Sequence, residues 1–188
     1  MIHLRKTSLC SLINVLCSAT VGFTVIGSPL SSQARAEPPA VPSLCRNEEQ
    51  IIFSCAVARS PRIVSICGSK LLDHRNGYLQ YRFGRVGAVE LQFPRDRANT
   101  QIAFRYAHYF RAQVDRTEIT FHNQNYTYVL FSYYENDINP PIKEAGVRVT
   151  RHNSDGTEAE LKCRENPVSH IGVLESVIPR DNDNPLNQ

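Results

Sequence analysis

The sequence predicts an all-β fold, an antiparallel sandwich or small barrel of about eight to nine strands with one short C-terminal helix. Three observations carry that expectation. Apolar residues alternate with polar ones at period two along most of the chain, which is the pattern of strands buried on one face. Turn-forming residues interrupt the alternation at short, regular intervals. Four cysteines follow the N-terminal leader, an even number suited to staples across a small domain.

The chain begins with Met1-Ile2-His3-Leu4-Arg5-Lys6, short and basic, and continues with an apolar stretch from Leu9 to about Ile26 that lacks charge. Ala34-Arg35-Ala36 is a small-x-small pattern, and Glu37-Pro38-Pro39 follows. This order of basic, apolar and cleavage regions predicts a secretory signal over residues 1–36, cut after Ala36. Leu9 and Leu16 precede Cys10 and Cys17 where a lipoprotein signal requires a small residue, so the expected product is soluble, without a membrane anchor once the signal is gone.

The leader holds Arg5, Lys6 and Arg35 and no acid, and so accounts for the whole formal charge of +3. The remaining chain has 18 basic and 18 acidic residues, a balance that argues against a nucleic-acid partner. Its charge is unevenly placed: residues 46–116 hold 12 basic and 6 acidic residues, residues 117–188 hold 6 and 11. Opposite fields of that kind can steer a charged partner, or can neutralise each other within one sheet.

Residues 37–44 read as an extended, proline-rich lead-in to a single domain over 45–180. The expected strands are Gln50–Ala56, Arg62–Cys67, Tyr78–Phe83, Ala88–Phe93, Ile102–Phe110, Glu118–His122, Tyr126–Tyr133, Gly146–Arg151 and Glu158–Cys163. Between them lie Arg59-Ser60-Pro61, Asn76-Gly77, Gly84 to Gly87, Pro94 to Asn99, Asn123-Gln124-Asn125, Pro140-Pro141 and Asn153-Ser154-Asp155-Gly156. A turn centred near Gln124 would set Ile119 opposite Val129, Phe121 opposite Thr127 and Glu118 opposite Leu130. A turn centred near Asp115 would set Phe110 opposite Thr120 and His108 opposite His122. Ser169 to Ile178 has helical spacing through Ile171, Leu174 and Val177, and residues 181–188 read as a flexible polar tail.

Cys45, Cys55, Cys67 and Cys163 predict two disulfides, with three connectivities open. A bridge from Cys163 to the N-terminal half would close a loop of about 100 residues, worth roughly 4–5 kcal/mol in the chain-entropy model. The spacings lack any C-x-x-C pair, so no zinc site is expected among the cysteines. Side by side, His108 and His122 would be the best metal candidate, but no third ligand is set by spacing, and neither metal nor cofactor is expected.

Catalysis finds little support: the chain has no G-x-S-x-G elbow, and the carboxylate pairs Glu48-Glu49 and Glu158/Glu160 suit a solvated face. Composition points to binding instead. After the leader the chain has 15 Arg, 3 Lys and 8 Tyr, and Arg and Tyr anchor protein-binding surfaces by covering area with few lost rotamers. Gly77-Tyr78-Leu79-Gln80-Tyr81-Arg82-Phe83-Gly84-Arg85 is one such strand and Phe104-Arg105-Tyr106-Ala107-His108-Tyr109-Phe110-Arg111 another. The loops expected to meet a partner are Asn76-Gly77-Tyr78, with Tyr81 and Arg82 beside it, and Ser154-Asp155-Gly156.

The run Cys45…Ile52-Phe53-Ser54-Cys55…Val64-Ser65-Ile66-Cys67, then Gly77-Tyr78-Leu79-Gln80-Tyr81-Arg82-Phe83-Gly84, resembles a family of small, mostly uncharacterised periplasmic proteins of Gram-negative bacteria. The resemblance extends through Glu160-Leu161-Lys162-Cys163. More remotely, the layout is similar to that of the periplasmic lysozyme inhibitors, exported β-domains with a cysteine in an early F-x-C strand and another ending the last strand. Their S-G-x-x-Y motif is absent, since Asn76-Gly77 with Tyr81 is one residue too long and Ser154-Asp155-Gly156 has no following tyrosine. The resemblance implies a periplasmic, non-enzymatic protein that binds a lysozyme-like or toxic enzyme as an inhibitor or immunity protein. The other readings are an envelope-assembly or structural accessory protein and, last, a small hydrolase using His108 or His122 with a carboxylate.

Overall fold

Among the described residues, period-two alternation is realised as ten strands in two antiparallel five-stranded sheets that face each other as a sandwich, not a closed barrel. The computed structural model describes residues 42–152, 156–164 and 167–187, all within one compact unit spanning Pro38–Gln188. The signal at 1–36, lead-in residues 37–41, and Ser154 and Asp155 lie outside the described residues.

The first sheet contains β1 (Glu49–Ala56), β2 (Ile63–Ser69), β3 (Leu79–Arg85), β4 (Ala88–Phe93) and β10 (Val168–Ser169), in the order β10-β1-β2-β3-β4. The second contains β5 (Phe104–Arg111), β6 (Val114–Asn123), β7 (Tyr126–Glu135), β8 (Ile142–Arg151) and β9 (Thr157–Lys162), in chain order. All nine expected strands form; β10 is additional, pairing Ser169 and Val168 with Phe53 and Ser54. The C-terminal helix is a short 3-10 segment, Ile171–Ser176, whose buried Ile171 and Leu174 seal the core.

Inward positions of the two sheets supply Phe53, Val64, Ile66, Leu79 and Tyr81 on one side and Phe104, Tyr106, Ile119, Phe121, Leu130 and Val147 on the other. Phe121 stacks on Phe93 and on Tyr128, with ring centroids 4.8 Å apart in both pairs, and Tyr81 lies 4.9 Å from it. Burying each such ring contributes roughly 1.5–3 kcal/mol. The cysteines pair as Cys45–Cys67 and Cys55–Cys163, the second joining β1 to the end of β9 across 108 residues.

Two registers differ from expectation. The β6–β7 turn is the two-residue Gln124-Asn125, which sets Ile119 opposite Leu130, Phe121 opposite Tyr128 and Glu118 opposite Phe131. The β5–β6 turn falls at Ala112-Gln113, so Phe110 faces Asp115 and His108 faces Thr117; His108 and His122 are therefore not neighbours. Tight two-residue turns match the twist of the flanking strands and need a positive φ, supplied here by Gln113 (64°) and Gln124 (53°), residues that carry no glycine or asparagine signal at those places. Residues 181–187 do not hang free as a tail: Asp181 N donates to Tyr106 O (2.8 Å) and Asn184 Nδ2 to Glu118 Oε2 (2.7 Å).

Candidate binding surface

Of the residues expected to bind, three are committed to the fold. Tyr81 is 1% exposed in the core. Arg82, 2% exposed, lies on the outer face of the first sheet, where its Nη1 and Nη2 donate to Glu49 Oε2 (2.5 Å) and Oε1 (2.8 Å). Its remaining donors meet Leu44 O, Gln80 Oε1 and Gln92 Oε1, so the fork is fully satisfied. Tyr78 Oη donates to Glu49 Oε1 (3.0 Å), and Arg97 stacks over the Tyr78 ring at 4.3 Å. Sequence reasoning put Tyr78 and Arg82 on a docking loop; the structure brings them together on one buried carboxylate. Burial pushes the Glu49 carboxyl up, but the hydrogen bonds from Arg82, the Arg46 amide and Tyr78, with the Arg82 charge, outweigh it and hold it at about 2.

Asn76 and Gly77 sit in the exposed loop between β2 and β3, which is pre-folded. Asp73 accepts from the Arg75 and Asn76 amides, both at 2.7 Å, and Gln101 Nε2 donates to the carbonyls of Asp73, Asn76 and Gly77. Gly77 is required, with φ of 79° and a Cβ that would fall 2.1 Å from Ser69 Oγ. Gly156, exposed, precedes β9.

The more open surface arises where the core of the second sheet gives out. Along the inward side, the apolar row Tyr106–Ile119–Leu130–Val147 is followed two residues on by His108–Thr117–Ser132–Ala145 and then by Phe110–Asp115–Tyr134–Lys143. Over these rows the packing between the sheets opens into two adjoining clefts, with Ser169 of β10 on the opposite side. One, of about 350 Å³, is lined by His108, Asp115, Thr117 and Glu175; the other, of about 440 Å³, by Lys143, Lys162 and Arg164. Ser132, Tyr134 and Ser169 line both. His108 Nε2 lies 3.1 Å from Asp115 Oδ1. Tyr134 is 45% exposed; Phe110, 71% exposed, faces the lining residue Asp115 across the β5–β6 ladder, and Val173, 51% exposed, follows the lining residue Gly172. Sequence reasoning missed this surface because it depends on the Ala112-Gln113 turn.

A second missed cluster pairs His122 with His152. Thr127 Oγ1 lies 2.9 Å from His122 Nδ1 and 3.1 Å from His152 Nε2, and the two rings are 5.6 Å apart. Among the described residues, the one group of three close metal-type ligands is Cys45, Glu49 and Cys67. The disulfide occupies both sulfurs and Arg82 the carboxylate, so that group offers nothing to a cation.

Fold and staples together define a disulfide-bonded antiparallel β-sandwich of the kind suited to an oxidising compartment. Among the described residues no helix is long and apolar enough to cross a membrane. Compared with known proteins, the chain matches no family model, no curated protein and no solved structure.

Proposed function

We propose that this chain is an exported, periplasmic binding protein that blocks a cell-wall-active or toxic enzyme, as a lysozyme inhibitor or an immunity protein does. The observation that carries the reading is the aromatic-rimmed double cleft. Tyr134 stands exposed beside Lys143 and Arg164, and Phe110, two strands away in the same row of the sheet, is exposed as well. Exposed aromatics on a rigid frame next to charged side chains are the chemistry of protein-binding hot spots, where little conformational entropy is lost on association. The Cys55–Cys163 bridge anchors the β9 end of this surface to the first sheet.

Affinity capture from periplasmic extract, with inhibition assays across lysozyme classes, tests this reading. A captured enzyme whose binding falls by about 30-fold in Phe110→Ala or Tyr134→Ala is the expected result, corresponding to a hot spot of about 2 kcal/mol. Absence of both partner and inhibition sinks it.

One observation favours a second reading, a small hydrolase: the His108–Asp115 pair shares its cleft with Ser132. That reading requires His108→Ala to abolish a turnover, whereas inhibition by binding requires only the surface.

A further inference from the structure

We infer that His122 and His152 form a two-imidazole binding site for a borderline first-row transition cation, such as zinc, nickel or copper(II). Three neighbouring strands place the ligands. His122 on β6 is paired with Thr127 on β7, and Thr127 with Thr150 on β8. His152 follows directly after β8, and its backbone amide donates to Asn125 O (2.9 Å) in the β6–β7 turn, which ties the end of β8 to the same hairpin. The backbone that carries both imidazoles is therefore fixed by sheet pairing, and only side-chain torsions remain to be set on binding.

Both rings already turn a nitrogen toward one point. His122 Nδ1 and His152 Nε2 each lie within 3.1 Å of the Thr127 hydroxyl oxygen. Side-chain χ rotations can bring two such nitrogens to the separation of roughly 3–4 Å that they hold around one zinc ion at Zn–N of about 2.0–2.1 Å. A hydroxyl has one proton, so in the neutral state it can donate to only one of the two imidazoles and must accept from the other. A cation replaces that single shared hydroxyl with a bond to each nitrogen at once. The side chains are exposed, so water completes the coordination sphere. Neutral imidazole nitrogens select zinc, copper and nickel, while calcium and magnesium require oxygen donors.

The test is calorimetric titration of the untagged protein in a non-coordinating buffer with zinc, nickel, copper(II) and calcium chlorides, together with ring-nitrogen NMR spectra. The expected result is one zinc ion per chain, copper bound more tightly than zinc, no calcium binding, and zinc-induced ring-nitrogen shifts confined to His122 and His152. Even a hydrogen-bonded neighbour of a metal ligand is worth about 10–100-fold in affinity, so His122→Ala and His152→Ala should each weaken zinc by at least about tenfold. His74→Ala, His108→Ala and His170→Ala should leave zinc binding unchanged. Thr127→Val, which removes the competing hydroxyl and keeps a β-branched side chain in the strand, should retain it. Equal zinc affinity in either His122→Ala or His152→Ala, loss of binding in Thr127→Val, or binding of calcium as tight as zinc would each overturn the inference.

Discussion

The two sheets carry the same device on their outer faces and use it differently. On the first, Glu49 and Arg82 form an ion pair with side chains 0% and 2% exposed, beneath residues 42–46. On the second, Glu118 and Arg148 form a pair 10% and 32% exposed, joined by the Tyr133 hydroxyl and touched by Asn184. The cover differs in kind. Leu44 N donates to Ser65 Oγ (3.0 Å), Ser54 Oγ donates to Pro42 O (2.8 Å), and the Cys45–Cys67 disulfide fixes the N-terminal segment covalently. The C-terminal segment is held over β5 and β6 by hydrogen bonds such as those of Asp181 and Asn184. Burial turns the first pair into a structural lock, since neither charge can be left without the other. The second pair stays within reach of water, which screens it and stands in for a missing partner.

That contrast is breakable in a graded way. The largest effect belongs to Arg82→Ala, which strands Glu49 in the interior and should cost about 3–5 kcal/mol in urea unfolding. Replacing both partners, Arg82→Met with Glu49→Leu, should recover most of that loss; a double variant as weak as the single one would mean that the pair itself stabilises the sheet. Next is removal of the Cys45–Cys67 staple by paired Cys→Ala changes, worth about 3 kcal/mol for a loop of this length.

Acid separates the faces further. Glu49 titrates near 4.5 when unfolded and about 2 when folded, so below pH 4.5 the unfolded chain takes up the proton first. Stability from this group is fully present above about pH 4.5 and is lost as pH falls toward 2. Unfolding midpoints measured from pH 5 down to about 2 should show that slope in the native protein and a reduced one in Arg82→Met. The smallest effect is that of Arg148→Ala on the half-open pair, about 1 kcal/mol or less. Hydrogen exchange sharpens the same point: the Asp181 amide should exchange faster than that of Leu44, which belongs to the segment pinned by the Cys45–Cys67 disulfide.

On the second sheet, the Tyr133 hydroxyl is raised to about 12, by burial first and then by its bond to Glu118, against the lowering effect of Arg148. It therefore stays protonated at neutral pH and donates to Glu118 while accepting from Arg148 Nη2 at 2.7 Å. A neutral phenol between two charges links Glu118 to Arg148 without a third charge to desolvate.

Period-two alternation determined the strands by itself, because burial on one face of a pleat is a local property of sequence. Val64, Ile66, Leu79, Tyr81, Ile119 and Phe121 are buried, as their alternation requires. The even cysteine count likewise determined that two bridges form, and only the approach of β1 to the end of β9 decided that Cys55 meets Cys163. Register was not legible. A one-residue change of turn position reassigns every cross-strand partner; Gln113, which adopts positive φ, lies outside every expected turn, and Asn123-Gln124-Asn125 marked a turn without fixing which two residues form it. Hence the sequence paired His108 with His122, where the sheet sets His108 opposite Thr117 and His122 opposite Thr127, and their rings meet Asp115 and His152 instead. Arg82 and Tyr78 read as surface anchors for the same reason. Their fate depended on which segment covers the outer face of the first sheet, and that contact between Leu44 and a strand 38 residues away exists only once the chain has folded.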